Sequence, residues 1–232
     1  MSRLLVINPN TSATVTERLH AHIQVALPEV DVQAITARIG APYISSEVSY
    51  AVAGHAVLEA WTDFQSRHSE LPDAVLVGCF GDPGLFALRE CCTVRVTGLA
   101  EAAFLEAAGK GRFAVVTGGE AWGPILKRFS RMMDLGDALL GVHTVAPTGA
   151  QLAAEPAMAL ELLTHACRDA AERWPCDAII LGGATLAGLA ATIQPEIKVP
   201  VIDSVLAGAK YALNAPFGLG LGANLAIVQT GK

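Results

Sequence analysis

The sequence predicts an α/β protein with parallel sheets, built from two copies of one α/β unit. Three observations carry this. Short apolar runs alternate along the chain with longer amphipathic stretches, the pattern of strand, helix and strand. The apolar runs are rich in Val, Ile and Leu and lack strict polar alternation, as parallel strands covered on both faces require. One stretch also repeats. Asp73-Ala-Val-Leu-Val-Gly-Cys79 reads against Asp177-Ala-Ile-Ile-Leu-Gly-Gly183, and each is followed by a Gly-containing turn and Leu, in Asp82-Pro-Gly-Leu85 and Leu186-Ala-Gly-Leu189.

The first strand candidate, Leu4–Asn8, leads through Asn8-Pro-Asn-Thr-Ser12 into a helix over Thr14–Ala26, with Thr11 or Ser12 suited to its N-cap. Val32–Thr36 is the second strand and Ala51–His68 the next helix. Ala74–Cys79 closes on the turn Phe80-Gly-Asp-Pro-Gly84, and a helix pattern follows that ends at Cys91 and Cys92. A strand over Thr93–Val96 and a helix over Leu99–Ala108 complete the first copy. The second copy holds a strand at Arg112–Thr117 and helices at Trp122–Met133 and Ala154–Trp174. Strands at Ala178–Leu181 and Val199–Ile202 and a helix at Ser204–Leu213 finish it. A looser match of Leu4-Leu-Val-Ile-Asn-Pro-Asn10 to Phe113-Ala-Val-Val-Thr-Gly-Gly119 extends the repeat. Ligands bind parallel sheets at the carboxyl ends of the strands. Two facing copies therefore form a cleft with related positions on opposite walls, and Cys79 and Gly183 are counterparts across it.

The bulk numbers limit the function. A chain of 232 residues has room for two compact domains. With 52% hydrophobic and 16% charged residues it buries a large core and is not disordered. A net charge of -6 argues against nucleic acid, because phosphate contacts need clustered Lys and Arg. No stretch long enough for a bilayer is free of charges or turn formers, and the start lacks an apolar leader. The expectation is a cytoplasmic protein with no membrane partner. Five cysteines at irregular spacing suggest no disulfide framework and no zinc pattern, and six scattered histidines indicate no metal. Neither GxGxxG nor GxxxxGK[ST] occurs, and neither HExxH nor GxSxG. No cofactor is expected. The expected partners are a small-molecule substrate and further copies of the chain.

Cys79 is the leading chemical group. It ends an apolar strand at a turn whose Pro and Gly let the backbone approach a ligand. N–H groups at the helix start beyond it can stabilise negative charge and lower the thiol pKa. Asp82 reads as a helix-start cap. Asn8-Pro-Asn-Thr-Ser12 offers amide side chains and N–H groups to a carboxylate or an imide carbonyl. Thr117-Gly-Gly119 holds the matching place in the second copy, and Gly182-Gly-Ala-Thr185 faces the loop of Cys79. Cys91 and Cys92 read as core and surface neighbours, Cys167 and Cys176 as structural.

These segments together carry a family resemblance. Val6-Ile-Asn-Pro-Asn-Thr-Ser12, Gly78-Cys-Phe-Gly-Asp-Pro-Gly-Leu85, Val96-Thr-Gly-Leu-Ala-Glu-Ala-Ala103 and Val199-Pro-Val-Ile-Asp203 resemble the hydantoin and allantoin racemases of the aspartate/glutamate racemase superfamily. The resemblance implies two similar parallel-sheet, Rossmann-like αβα domains related by pseudo-twofold symmetry, with the active site between them. The expected division is 1–97 plus 208–232 for the first domain and 98–207 for the second. It also implies cofactor-independent racemisation by two cysteines on opposite faces of the substrate α-carbon. Cys79 matches the first. The second falls where the family carries Leu-Gly-Cys-Ala-Gly-Met and this chain has Leu181-Gly-Gly-Ala-Thr-Leu186, so position 183 is Gly. Ile44-Ser-Ser-Glu-Val-Ser-Tyr50 departs from the family as well. The expected site is Cys79 as acid/base, with Asn8, Asn10, Phe80, Thr117, Gly118, Gly183 and Ala184 binding the substrate or lining its pocket. Three outcomes follow from the missing thiol. Thr185, a neighbour or a water returns the second proton; the enzyme works on one face as a decarboxylase, lyase or dicarboxylate isomerase; or the protein binds a small ligand without turnover.

Overall fold

The computed structural model describes residues 1–214; the part of the expected first domain at 215–232 lies outside them. Two parallel four-stranded sheets form the framework. The first contains β1 (Arg3–Asn8), β2 (Asp31–Thr36), β3 (Ala74–Val77) and β4 (Arg95–Gly98) in the order β2-β1-β3-β4. The second contains β5 (Phe113–Gly118), β6 (Leu139–Val145), β7 (Ala178–Gly182) and β8 (Val201–Asp203) in the order β6-β5-β7-β8. The orders are equivalent, so the fold is the duplicated α/β architecture that the repeat predicts. No helix among the described residues is long and apolar enough to cross a membrane.

The repeated aspartates explain why the two copies start alike. Asp73 N–H donates to the Arg3 carbonyl, and Asp73 Oδ2 accepts from Arg3 N–H at 2.7 Å. Asp177 and Arg112 make the same pair of bonds, the second at 2.8 Å. Each Asp thereby sets the register of the central strand pair, β1 with β3 and β5 with β7.

Most helices follow the expected spans. They are α1 (Ala13–Ala26), α2 (Glu47–Arg67), α3 (Leu85–Cys91), α4 (Leu99–Ala108) and α5 (Trp122–Met132), then α6 (Gly149–Ala154), α7 (Pro156–Arg173), α8 (Leu189–Ile193) and α9 (Ser204–Asn214). Ser12 caps α1 by accepting from Val15 N–H. Three differences have local causes. The helix α2 starts four residues before the expected Ala51, because Ser46 and Ser49 close a reciprocal capping box. The expected helix over Ala154–Trp174 forms as α7, starting two residues later, and a separate short helix, α6, precedes it. Thr148 and Gln151 cap α6, and Pro156 at the first turn of α7 supplies no N–H to continue α6. The strand β6 is absent from the sequence reading; it lies at the sheet edge, is half-buried, and is interrupted by Gly141, whose missing side chain admits the Trp174 ring.

The two sheets share one core. Helix α4 follows β4 but packs on β7 and β8, whereas α9 follows β8 and packs on β3 and β4. The two helices also pack on each other. Phe104 of α4, fully buried, is the hub: its ring centroid lies 6.1 Å from Phe80, 5.2 Å from Phe113 and 6.0 Å from Phe129. Its neighbours come from both halves, so its removal loosens the joint between the sheets. Phe104→Ala is expected to cost about 3–5 kcal/mol, read as a lower urea midpoint with an unchanged circular dichroism spectrum.

Candidate active site

A cavity of about 470 Å³, counting its mouth, opens at the carboxyl ends of the central strands of both sheets. Four loops converge on it. Asn10 enters after β1, Gly78 to Phe80 after β3, Thr117 and Gly118 at the end of β5, and Gly182 to Leu186 after β7. Tyr43, Trp122 and Gly149 complete the walls.

Cys79 lines this cavity although only 8% of its surface is exposed. Burial, and next the charge of Asp82, raise its thiol well above the ordinary value. This overturns the lowering expected from a helix start. The desolvation cost of a thiolate exceeds what a distant seven-residue helix offers, and the nearest charge is negative. At rest the group is a thiol, a proton donor before it is a base. The other cysteines are also free thiols; Cys91 is exposed, Cys92 half-buried, Cys167 and Cys176 buried.

Asp82 is a cap, but of α4, not of the helix α3 that follows it directly. With φ at 55°, its carboxylate turns inward and accepts from Ala100 N–H at 2.9 Å and Glu101 N–H at 2.7 Å, at the start of α4. Gly98 makes this possible, since a Cβ there would overlap the carboxylate. Burial pushes the Asp82 carboxyl up to about 8, against the two N–H bonds that hold it down. Glu101 beside it is bound by Arg89 and by the Thr97 hydroxyl at 2.7 Å. The loop carrying Cys79 is thus fastened to the helix that joins the two sheets.

The opposite wall has no acid at the equivalent position. Gly183 adopts φ 141° and ψ 132°, a conformation essentially reserved for glycine. A Cβ there would have room, with Leu186 the nearest side chain at 3.4 Å. Next to it, Gly182 admits the Phe80 ring, which would otherwise overlap a side chain. Helix α1 holds the loop in place. Arg18 donates to the Thr185 carbonyl at 2.9 Å, and His22 Nε2 lies 3.0 Å from Asp203 Oδ2, which also accepts from Gly188 N–H at 2.8 Å. His22 holds the Asp203 carboxyl below the usual carboxylate range, despite burial.

Of the residues expected from the sequence, Cys79, Asn10, Phe80, Thr117, Gly118, Gly183 and Ala184 come together around the cavity. Asn8 does not reach it. It is fully buried, and its amide nitrogen lies 2.9–3.0 Å from Asn10 Oδ1, the Ser12 carbonyl and Thr16 Oγ1. Its task is to orient Asn10, whose Oδ1 also accepts from Ser12 N–H at 2.9 Å. The Asn10 Nδ2 makes no hydrogen bond among the described residues and is available to a ligand. The N–H groups of Asn10, Thr11 and Ser12 are taken by Asn8 Oδ1, the Ala41 carbonyl and Asn10 Oδ1, so this loop offers an amide side chain instead of a nest of N–H groups. Backbone donors remain on the two facing loops: the N–H groups of Phe80, Gly81, Ala184 and Thr185 bond to nothing among the described residues. Among these residues no group of three His, Cys, Asp or Glu is placed to hold a metal.

The aromatic cavity residues Tyr43 and Trp122 were not among those expected from the sequence, nor was Gly149. Tyr43 lies in an irregular connection with no periodicity to mark it, and Trp122 appears in the sequence only as a helix start. Trp122 packs on Gly81, and Tyr50, edge-on to Trp122, donates to the Gly81 carbonyl at 2.6 Å. The Gly-Gly pair before Trp122 was the one available hint of close packing there.

The chain is similar to known racemases over most of its length. The pattern of the family described as Asp/Glu/Hydantoin racemase matches residues 4–212. A hydantoin racemase of Pseudomonas sp. (strain NS671) is 32% identical over 219 residues, covering 90% of this chain and 84% of that protein. A hydantoin racemase of Paenarthrobacter aurescens is 30% identical, covering 90% and 89%. The solved structure of allantoin racemase from Klebsiella pneumoniae superposes with a TM-score of 0.85 at 31% identity, covering 92% of this chain and 86% of that one.

Two measurements check this site. Iodoacetamide at pH 8 is expected to alkylate the exposed Cys91 well before Cys79, whose labelling rises only at higher pH because its raised pKa leaves little thiolate. Gly183→Ala is expected to lower stability by about 1–3 kcal/mol through backbone strain alone, read in urea denaturation.

Proposed function

The chain belongs to the Asp/Glu/hydantoin racemase family, and from that premise we propose that it racemises a hydantoin-like or amino-acid carbon acid, without a cofactor, through Cys79 as acid/base. The observation that carries this reading is the position of one thiol in the cavity between the sheets, flanked by unpaired backbone N–H groups. Removing an α-proton next to a carbonyl sends the electron pair onto oxygen as an enolate. Fixed N–H donors in a site closed to water stabilise that charge most. The N–H groups of Phe80, Gly81, Ala184 and Thr185, with the Asn10 amide, suit an imide carbonyl or a carboxylate on either side of the substrate. Tyr43, Phe80 and Trp122 give the cavity aromatic walls that fit a flat ring. Hydantoins suit the weak acid/base set because their α-proton is comparatively acidic.

Gly183 favours a second reading. With a thiol on one face alone, Cys79 can protonate the enediolate left when a disubstituted malonate loses CO₂. The carbon–carbon bond breaks, the carbon keeps the electron pair, and the thiol proton closes the product.

Solvent deuterium is expected to enter the α-position of a chiral 5-substituted hydantoin as optical rotation decays, and Cys79→Ser is expected to slow both by about 10²–10⁴-fold. Folded native protein that exchanges nothing across hydantoins, allantoin, aspartate and glutamate would defeat the racemase reading; release of CO₂ from a disubstituted malonate would then select the second.

A further inference from the structure

The wall opposite Cys79 lacks an acid where the duplication would put one, but a phenol stands close by. We propose that Tyr43 is the second proton-transfer group of the site, serving the substrate face that Cys79 does not reach; this rests on the racemase reading above.

The register of the second sheet locates the phenol. Thr117 pairs with Gly182 at the end of the register, and Gly118 and Gly183 follow these two residues in the chain. The Tyr43 hydroxyl lies 3.5 Å from the Gly118 carbonyl and accepts from Gly149 N–H at 2.9 Å. Gly149 faces both this phenol and the Thr185 hydroxyl of the loop that carries Gly183, so the phenol stands at the second-sheet wall near that loop. It reaches there from a first-half loop because the wall is built of glycine: a Cβ at Gly149 would come within 3.2 Å of the Tyr43 ring, and one at Gly119 within 3.4 Å of its hydroxyl.

The chemistry leaves few alternatives. Among the cavity residues, Cys79 and Tyr43 alone carry a proton of useful acidity. A free thiol titrates near about 8.5 and a phenol near about 10, whereas the hydroxyls of Thr117 and Thr185 are far weaker acids. The long contact to Gly118 leaves the Tyr43 proton free to move, and the Gly149 N–H steadies the phenolate left behind. Burial raises the Tyr43 phenol, and a charge on Cys79 raises it further. A negative charge on one group thus opposes a negative charge on the other. Cys79 rests as a thiol; the form that reacts with the enantiomer whose α-proton faces it has lost that proton, with Tyr43 still protonated. The thiolate takes the α-proton, the carbon–hydrogen electron pair moves into the enolate, and Tyr43 returns its proton to the opposite face. Cys79 is left as thiol and Tyr43 as phenolate, which is the starting state for the other enantiomer; proton exchange with water resets the pair.

The experiment follows α-deuteration by NMR and optical rotation on one sample of a chiral 5-substituted hydantoin in D₂O. Tyr43→Phe keeps the ring and removes the proton. It is expected to retain exchange, with the configuration preserved, while racemisation falls by about 10²-fold or more. Replacement of Tyr43 by 3-fluorotyrosine, a stronger acid, is expected to move the alkaline limb of the racemisation pH profile to lower pH. Racemisation by Tyr43→Phe at the native rate overturns the assignment, as does an equal fall of exchange and racemisation, which a merely structural tyrosine would give, or an unmoved alkaline limb. If Cys79→Ser is inert while Tyr43→Phe racemises normally, the racemase reading stands and Tyr43 falls; a native protein silent in both signals overturns both.

Discussion

The close approach of the two half-molecules at Phe80 and Gly182 is the constraint on which the site depends. The Phe80 ring follows directly on Cys79 in the chain and occupies the space a side chain at 182 would need. It also stacks edge-on against Phe104, the residue that ties the shared core together. Aromatic packing of this kind adds roughly 0.5–1.5 kcal/mol beyond simple burial, but its larger effect is geometric. It fixes the distance between the loop of the thiol and the loop of Gly183. Any widening there would flood the cavity and weaken every charge interaction within it.

Electrostatics shape the same region from behind. Asp82 accepts two N–H bonds at the start of α4, and Asp203 caps α9 by accepting from Val205 and Leu206 N–H. The two halves use the same device, an aspartate at a helix N-terminus, but take it from different places. In the first half it comes from the loop of the thiol and is wholly buried, so it adds to the burial that keeps Cys79 protonated. In the second half it comes from the end of β8, and His22 holds it ionised. A duplicated fold with unlike walls is suited to unlike proton-transfer groups. A two-thiol site needs matched surroundings; the proposed pairing of a thiol with a phenol needs a wall that a long side chain can reach, and the glycines at 119 and 149 leave room for Tyr43.

Local sequence by itself determined the duplicated parallel architecture, most of its strands and helices, and Cys79 with its loop. These features rest on local rules: buried parallel strands are continuously apolar, a cap precedes a helix, and Pro with Gly turns the chain. The repeated Asp was legible for the same reason, because a residue that sets strand register recurs wherever the register recurs. Tertiary structure alone decided that Asn8 is a buried prop for Asn10, that Asp82 caps a helix 17 residues further on, and that the thiol is held protonated. It also decided that Tyr43 crosses from one half to the other. Each of these depends on which groups meet across the cleft, and desolvation and long-range contact leave no period in the chain for a reader to find.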